Sequence, residues 1–239
     1  MDETGTGREE PHQDCSRHRL AGGHEQMDER LNRWEVLFQR ALILIDSVRK
    51  LGIPVDDWTF GGGTVLMRRH RHRLSKDIDI FINDPQFLGY LTPRLSPTAE
   101  SLTTNYIEDH NYVKLVFSEG EIDFVAAPPL TTKPAHVETL FDHRILVETS
   151  AEIVAKKVWH RGFEFTARDI FDLSMVAELE PQALHKISMI LRDRRGLILE
   201  RMERYDSILR EGFAELAALE YMRSFDECVE IVTKVFGRA

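Results

Sequence analysis

Cysteine is nearly absent: Cys15 and Cys228 stand near opposite ends of the chain, with neither a framework nor CxxC spacing. Nothing in that pattern points to disulfides or a zinc site, and a reducing cytoplasm is the expected setting. No apolar run approaches the ~20 residues that a membrane span needs, and the start lacks the apolar core of a secretory signal. Basic residues are in deficit, 31 against 40 acids, for a formal net charge of −9. A general nucleic-acid binder is usually basic, so any RNA contact must come from a local basic surface rather than the global field. What is present, 42% hydrophobic residues over 239 positions, is enough for one large domain or two small ones with a real core.

Residues 1–26 are polar, rich in Gly, His, Glu and Arg, and read as a disordered extension. Met27 is a candidate for the true start. Leu31, Trp34, Leu37, Phe38, Ala41, Leu42 and Ile45 recur at three- and four-residue steps, an amphipathic helix ending near Gly52. Trp58–Phe60 is a short strand, Thr64–Arg69 a short helix, and Asp77–Ile82 a strand stopped by Asn83-Asp84-Pro85. Ser96-Pro97 opens another helix. Strands follow at Tyr106–Glu108, Tyr112–Phe117 and Glu121–Ala126, then a hairpin from Val137–Phe141 and Arg144–Val147. From Ser150 the pattern is helical: Thr166 caps a helix with Asp169 at the capping-box position, Pro181 starts another, and helices near Leu197–Leu209 and from Phe225 complete it. The expected layout is α+β, a sheet-bearing domain over 27–149 and a helical domain over 150–239.

The segment that carries chemistry runs from Trp58 to Phe81. Gly61-Gly62-Gly63-Thr64 lies between a strand and a helix. Glycine lets backbone approach a ligand closely, and a helix start presents free N–H groups and a positive dipole end to phosphate. Asp77 and Asp79 are two apart on a strand, so their side chains leave one face roughly 7 Å apart while Ile78 and Ile80 face the core. Asp123 sits between Ile122 and Phe124 on a later strand in the same alternation. If the two strands are neighbours, three carboxylates converge and hard divalent cations, Mg2+ or Mn2+, are the natural counter-ions, two of them ~3.5–4 Å apart. Taken alone, an Asp-x-Asp pair is more often an ordinary solvent-facing strand, and a glycine triplet a plain turn; it is their succession that carries weight.

Arg68 to Arg73 form a contiguous basic stretch. Arg69 and Arg71 read as solvated loop residues, whereas Arg73 and Ser75 adjoin the carboxylate strand and are candidates to touch phosphate. His70 and His72 lack a third soft ligand and do not make a metal site. In the helical half, Lys156, Lys157 and Arg161 precede Arg168, Asp169 and Asp172. By spacing alone, an Arg168–Asp172 pair within one helix plus surface lysines is the favoured reading.

Gly-Gly-Gly-Thr-Val-Leu followed by His-Arg-Leu-Ser-Lys-Asp-Ile-Asp-Ile-Phe resembles the signature of the AbiEii/AbiGii-type nucleotidyltransferase toxins, within the DNA polymerase β-like superfamily. The later Ala-Lys-Lys-Val-Trp-His-Arg and Ala-Arg-Asp-Ile-Phe-Asp-Leu look like that family's second block, so the resemblance covers roughly Trp58 to Leu173. It implies a polymerase β-like mixed sheet with flanking helices, then a helical C-terminal domain, with the site between them. It implies Gly62, Gly63 and Thr64 under the triphosphate, Asp77 and Asp79 on magnesium, and Asp123 as third carboxylate. Lys157 or Lys156 would contact phosphate, and Asp169 or Asp172 would complete the site. The resemblance further implies a bacterial toxin of a toxin–antitoxin or phage-abortive system with a separately encoded antitoxin. By analogy, the acceptor is the 3′ end of tRNA. The same chemistry admits a protein or small-molecule acceptor, and a catalytically silent binding module is the alternative from another class.

Overall fold

The computed structural model describes residues 16–238. The first helix, α1 (Ser16–Lys50), begins inside the segment expected to be disordered. Residues 16–26 are thus helical, a correction. Gly22 and Gly23 are poor helix formers, but the segment extends a helix whose nucleation is already met by the amphipathic part. The remainder of that expectation, residues 1–15, lies outside the described residues.

Seven strands follow: β1 (Trp58–Gly61), β2 (Ile78–Ile82), β3 (Tyr106–Asp109), β4 (Tyr112–Val116), β5 (Glu121–Ala126), β6 (Ala135–Leu140) and β7 (His143–Glu148). They form one mixed sheet in the order β3-β4-β5-β2-β1-β7-β6. β2 runs parallel to β5, β1 is parallel to β7, and the remaining neighbours are antiparallel. Helix α2 (Gly62–His70) lies between β1 and β2, and α3 (Pro97–Leu102) is capped by Ser96, whose hydroxyl accepts from Ala99 N–H.

Alternation decides which sheet face is core. Trp58, Phe60, Ile78, Ile80, Ile82, Ile122 and Phe124 are buried. On this side α1 supplies Trp34, Leu37, Phe38, Ala41 and Ile45; Phe38 meets Phe60 at 4.5 Å between ring centres and Trp34 stacks on Phe60 at 5.9 Å. Each such aromatic side chain contributes on the order of 2–3 kcal/mol of hydrophobic stabilisation. The in-between residues, Thr59, Gly61, Asp79, Phe81 and Asp123, leave the opposite face.

After β7 every further helix or strand described is helical: α4 (Ser150–Arg161), α5 (Ala167–Leu179), α6 (Pro181–His185), α7 (Ser188–Arg204), α8 (Asp206–Ala214) and α9 (Phe225–Arg238). The helix expected near Leu197–Leu209 is in fact two, broken at Tyr205, the C-cap of α7. Periodicity continues through the break because both sides bury residues, Met202 before it and Leu209 after. The segment between α8 and α9 returns to the sheet side. Leu74 N–H bonds to Ala217 O, Leu219 N–H to His72 O, and Glu220 N–H to Arg71 O. The basic stretch after α2 is therefore stitched into the helical half by backbone hydrogen bonds.

Candidate active site

Parallel pairing of β2 with β5 sets Asp79 directly beside Asp123. Antiparallel pairing sets Gly61 beside Asp79 on the other side, and Lys114 of β4 beside Asp123. This row, on the face away from α1, is the floor of a cleft of about 230 Å3. Gly62, Asp79, Phe81, Asn111, Asp123 and Glu148 line it from the sheet; Lys156, Lys157, His160 and Arg161 of α4 line it from above.

The turn from β1 into α2 requires glycine. Gly62 has φ +73°, and a Cβ there would fall within the Asp79 carboxylate. A Cβ at Gly61 would collide with Glu148, and one at Gly63 would meet the Arg73 guanidinium at 2.7 Å. All three glycines are thus constrained. No side chain caps α2, so its first N–H groups are presented beside Asp79. Thr64 is turned inward: its hydroxyl donates to Asp77 O (2.6 Å) and shares a hydrogen bond with Ser75 Oγ (3.1 Å). Gly63, Thr64 and Ser75 shape the loop from behind rather than line the cleft.

The sheet-side carboxylates are poorly satisfied. Asp123 Oδ1 is buried without a hydrogen-bond partner, while Oδ2 lies 3.4 Å from Lys114 Nζ. Burial, then the charge of Asp79, pushes Asp123 up to about 7 against the pull of Lys114. Asp79 is raised too, by burial above all, with Arg161 and Lys157 opposing. A buried orphan oxygen beside a second carboxylate is a donor set that a hard divalent cation satisfies, so these residues fit magnesium. Asp79 and Asp123 are the two of the expected three that stand side by side in the strand pairing. Asp77 stands one residue before β2 and its Oδ1 accepts from Glu121 N–H at 3.1 Å. Among the described residues no group of three such side chains is placed to hold an ion.

The helix-side carboxylates are the reverse. Asp169 Oδ1 accepts from Lys157 (2.7 Å) and Arg161 (3.2 Å); Oδ2 accepts from the N–H and hydroxyl of Thr166, completing the expected capping box. Asp172 accepts from Arg73 through both oxygens (2.7 and 2.8 Å), from His72 Nε2 (2.8 Å), and lies 3.1 Å from Lys157 Nζ. Burial raises both carboxyls, but the cations outweigh it: Lys157 and Arg161 hold Asp169 low, and Arg73 and Lys157 hold Asp172 well below the usual range. Burial lowers the pKa of His72 against the pull of Asp172. Asp169 and Arg73, expected at the reacting groups, therefore lie behind the cleft wall: Asp169 orients Lys157 and Arg161, which do face it, and Arg73 pairs with Asp172. The intrahelical Arg168–Asp172 pair favoured by spacing does not form; Arg168 is exposed and Asp172 turns to Arg73.

Lys156 is nearly enclosed. It bonds Glu148 at 2.5 Å and sits 3.6 Å from the Phe81 ring centre. Lys157 is the freer of the two lysines toward the cleft floor. Arg69 pairs loosely with Glu138 at 3.5 Å rather than standing in solvent, Arg71 is exposed as expected, and His70 bonds Glu180.

Sequence reasoning missed Lys114 and Glu148. Lys114 was legible: the Ser118-Glu119-Gly120 turn sets the β4–β5 register, and counting back from it places Lys114 opposite Asp123. Glu148 had no local signal. Its Oε1 accepts from Thr59 Oγ1 (2.8 Å), across a parallel pairing with a strand far earlier in the chain, while its Oε2 is buried without a partner.

Residues 51–230 match the family described as "Nucleotidyl transferase AbiEii toxin, Type IV TA system". No curated protein sequence matches the chain. Among solved structures, the chain is similar to MenT4, a nucleotidyltransferase toxin from Mycobacterium tuberculosis H37Rv, with TM-score 0.50 and 15% identity over 91% of this chain and 87% of that one. It is also similar to a candidate nucleotidyltransferase from H. pylori, with TM-score 0.49 and 15% identity over 88% and 94%.

Proposed function

Because the chain belongs to the AbiEii nucleotidyltransferase toxin family, we propose that its cleft moves a nucleoside monophosphate from a nucleoside triphosphate to an acceptor hydroxyl, with magnesium as cofactor. The observation that carries this is the Asp79–Asp123 pair in parallel register, set between the Gly62 turn and the cations of α4. Asp79 and Asp123 would hold the ion, with Asp77 adjacent. When bound there, magnesium supplies Lewis-acid stabilisation of phosphoryl charge and eases ionisation of the acceptor hydroxyl. The α2 N-terminus, Lys157 and Arg161 bind the phosphates and offset the charge of the departing pyrophosphate. Asp123 Oδ1, free of any protein donor, is one of the oxygens that would hold the ion, and the acceptor hydroxyl bound beside it would lose its proton with the ion's help. Asp169 and Asp172 hold Lys157 in place.

The acceptor in this reading is the 3′ end of tRNA, the biological role is that of the toxin in a toxin–antitoxin or abortive-infection pair, and the natural partner is an antitoxin protein. No helix of the described residues is long and apolar enough to cross a membrane. The test is label transfer: the protein with magnesium, each labelled nucleoside triphosphate in turn and total bacterial tRNA, with Asp79→Ala as control. A labelled tRNA band for one nucleotide, absent in the variant, supports the reaction and the acceptor together. Label on protein or a small molecule would keep the chemistry and replace the acceptor. No transfer to any acceptor would remove the assignment.

A further inference from the structure

The end of α4 forms the lip of the cleft, and beyond it lies a surface that the transfer chemistry does not use. His160 and Arg161 line the cleft; Trp159 before them and Phe163 after them are exposed, Phe163 at 74%. Helix α7 packs against this lip, with Leu197 and the Arg194 stem beside Gly162. The Arg194 guanidinium stacks 4.0 Å from the Trp159 ring centre, and its Nε is buried without a hydrogen-bond partner. Leu197, Arg201 and Arg204 follow Arg194 at three- and four-residue steps and so share one face of α7. Together with Phe163, Glu200 and Tyr205 they line a shallow depression. Arg201 lies 3.9 Å and Arg204 5.8 Å from the Tyr205 ring centre.

We propose that this strip, Trp159–Arg194, Phe163 and Arg201–Tyr205–Arg204, is a track for single-stranded nucleic acid whose 3′ end enters the cleft. It rests on the reading of the cleft as a nucleotidyl-transfer site. Cations alternate with planar rings along a line that begins at the cleft lip, and from Arg194 to Arg204 the helix extends about 15 Å at 1.5 Å per residue. Phosphates match the guanidinium groups, and unstacked bases match the rings. A duplex keeps its bases stacked and offers the rings nothing. Helix α7 carries five arginines against three acids in a chain whose net charge is −9. On the strip itself Arg194, Arg201 and Arg204 stand against Glu200, a local positive excess that a polyanion would meet.

Trp34 and Trp58 are buried in the core and Trp159 alone of the three tryptophans is substantially exposed, so intrinsic fluorescence reads this strip. The full chain is titrated with a short single-stranded RNA oligonucleotide, with the same sequence as a duplex, and with an acidic peptide. The expected result is quenching by the single strand, weakened by salt, and little by the other two. Phe163→Ala and Arg204→Ala should each lower RNA affinity ~10-fold, while Asp79→Ala binds RNA normally and transfers nothing. Two results would overturn the track: unchanged affinity in both strip variants, or equal quenching by duplex or peptide. If the wild type neither binds RNA nor labels it but labels another acceptor, the acceptor class falls and the track with it. If RNA binds through the strip but no acceptor is labelled, the track stands and the transfer reading fails.

Discussion

Two pairs of aspartates face each other through the same cleft wall, and the protein treats them oppositely. Asp79 and Asp123 on the sheet side lie side by side, share too few donors, and are held above the normal carboxylate range. Asp169 and Asp172 on the helix side are more deeply buried, yet each is surrounded by cations and held below it. Burial alone raises all four; the partners decide the sign. The sheet pair is left short of donors, and the helix pair holds Lys157 and Arg161 at the edge of the cleft.

The sharpest way to break this contrast is to remove one member of each pair. Asp79→Ala should reduce nucleotidyl transfer about a thousand-fold or more, as loss of several kcal/mol of charge stabilisation implies, while the thermal midpoint stays level or rises because a like charge beside Asp123 is gone. Asp172→Ala should do the reverse in kind. It strands buried Arg73 and frees Lys157, and urea unfolding should show a loss of about 3–5 kcal/mol, with transfer falling only as far as Lys157 is misplaced. A strongly destabilised Asp79→Ala, or an Asp172→Ala as stable as the parent, would erase the distinction.

Next in size is the backbone beneath the pair. Gly62→Ala demands a left-handed conformation of alanine, costing roughly 1–2 kcal/mol, and drives a methyl into the Asp79 carboxylate. Transfer should fall at least ~10-fold, with a smaller fall in unfolding free energy; full activity would show that the carboxylate position is not used.

The two walls should also answer pH with opposite sign. Asp123 ionises near 7 when folded and near 3.8 in its ordinary state, so between those values the native state holds the extra proton and stability falls as pH rises through the window. Asp169 and Asp172 are lowered, so their contribution is present above the ordinary carboxylate pKa and is lost only as pH falls below it. Urea unfolding from pH 4 to 8 should slope downward, and magnesium should flatten the slope by relieving Asp123. Asp123→Asn should make it shallower, with Asp79 and Glu148, also raised by burial, keeping their share. The smallest effect is expected at Arg168→Ala, under about 0.5 kcal/mol. A larger loss would restore the intrahelical pair with Asp172 that spacing alone suggested.

Much of this was readable in one dimension. Strand alternation marked Ile78, Ile80, Ile122 and Phe124 as core and Asp79 and Asp123 as the other face. Thr166 and Asp169 announced a capping box, Ser96-Pro97 a helix start, and Gly62 a turn that only glycine can make. These signals survive because each depends on neighbours within a few residues, where sterics and hydrogen bonding act locally. What spacing could not show was which charges meet. Asp172 lies four residues from Arg168 and far along the chain from Arg73, but only Arg73 is carried to it, by the backbone bridges between the loop after α2 and the segment after α8. Glu148 reaches the cleft through a parallel strand pairing that no turn specifies. Asp77, identical to Asp79 in sequence logic, differs from it in accepting a hydrogen bond from Glu121 N–H. The sequence by itself determined most of the elements, the buried sheet face and the acidic residues on the other face. Only the tertiary structure decided which carboxylates were left unsatisfied and which were neutralised, because partner choice is settled by long-range packing and the geometry of desolvated charge.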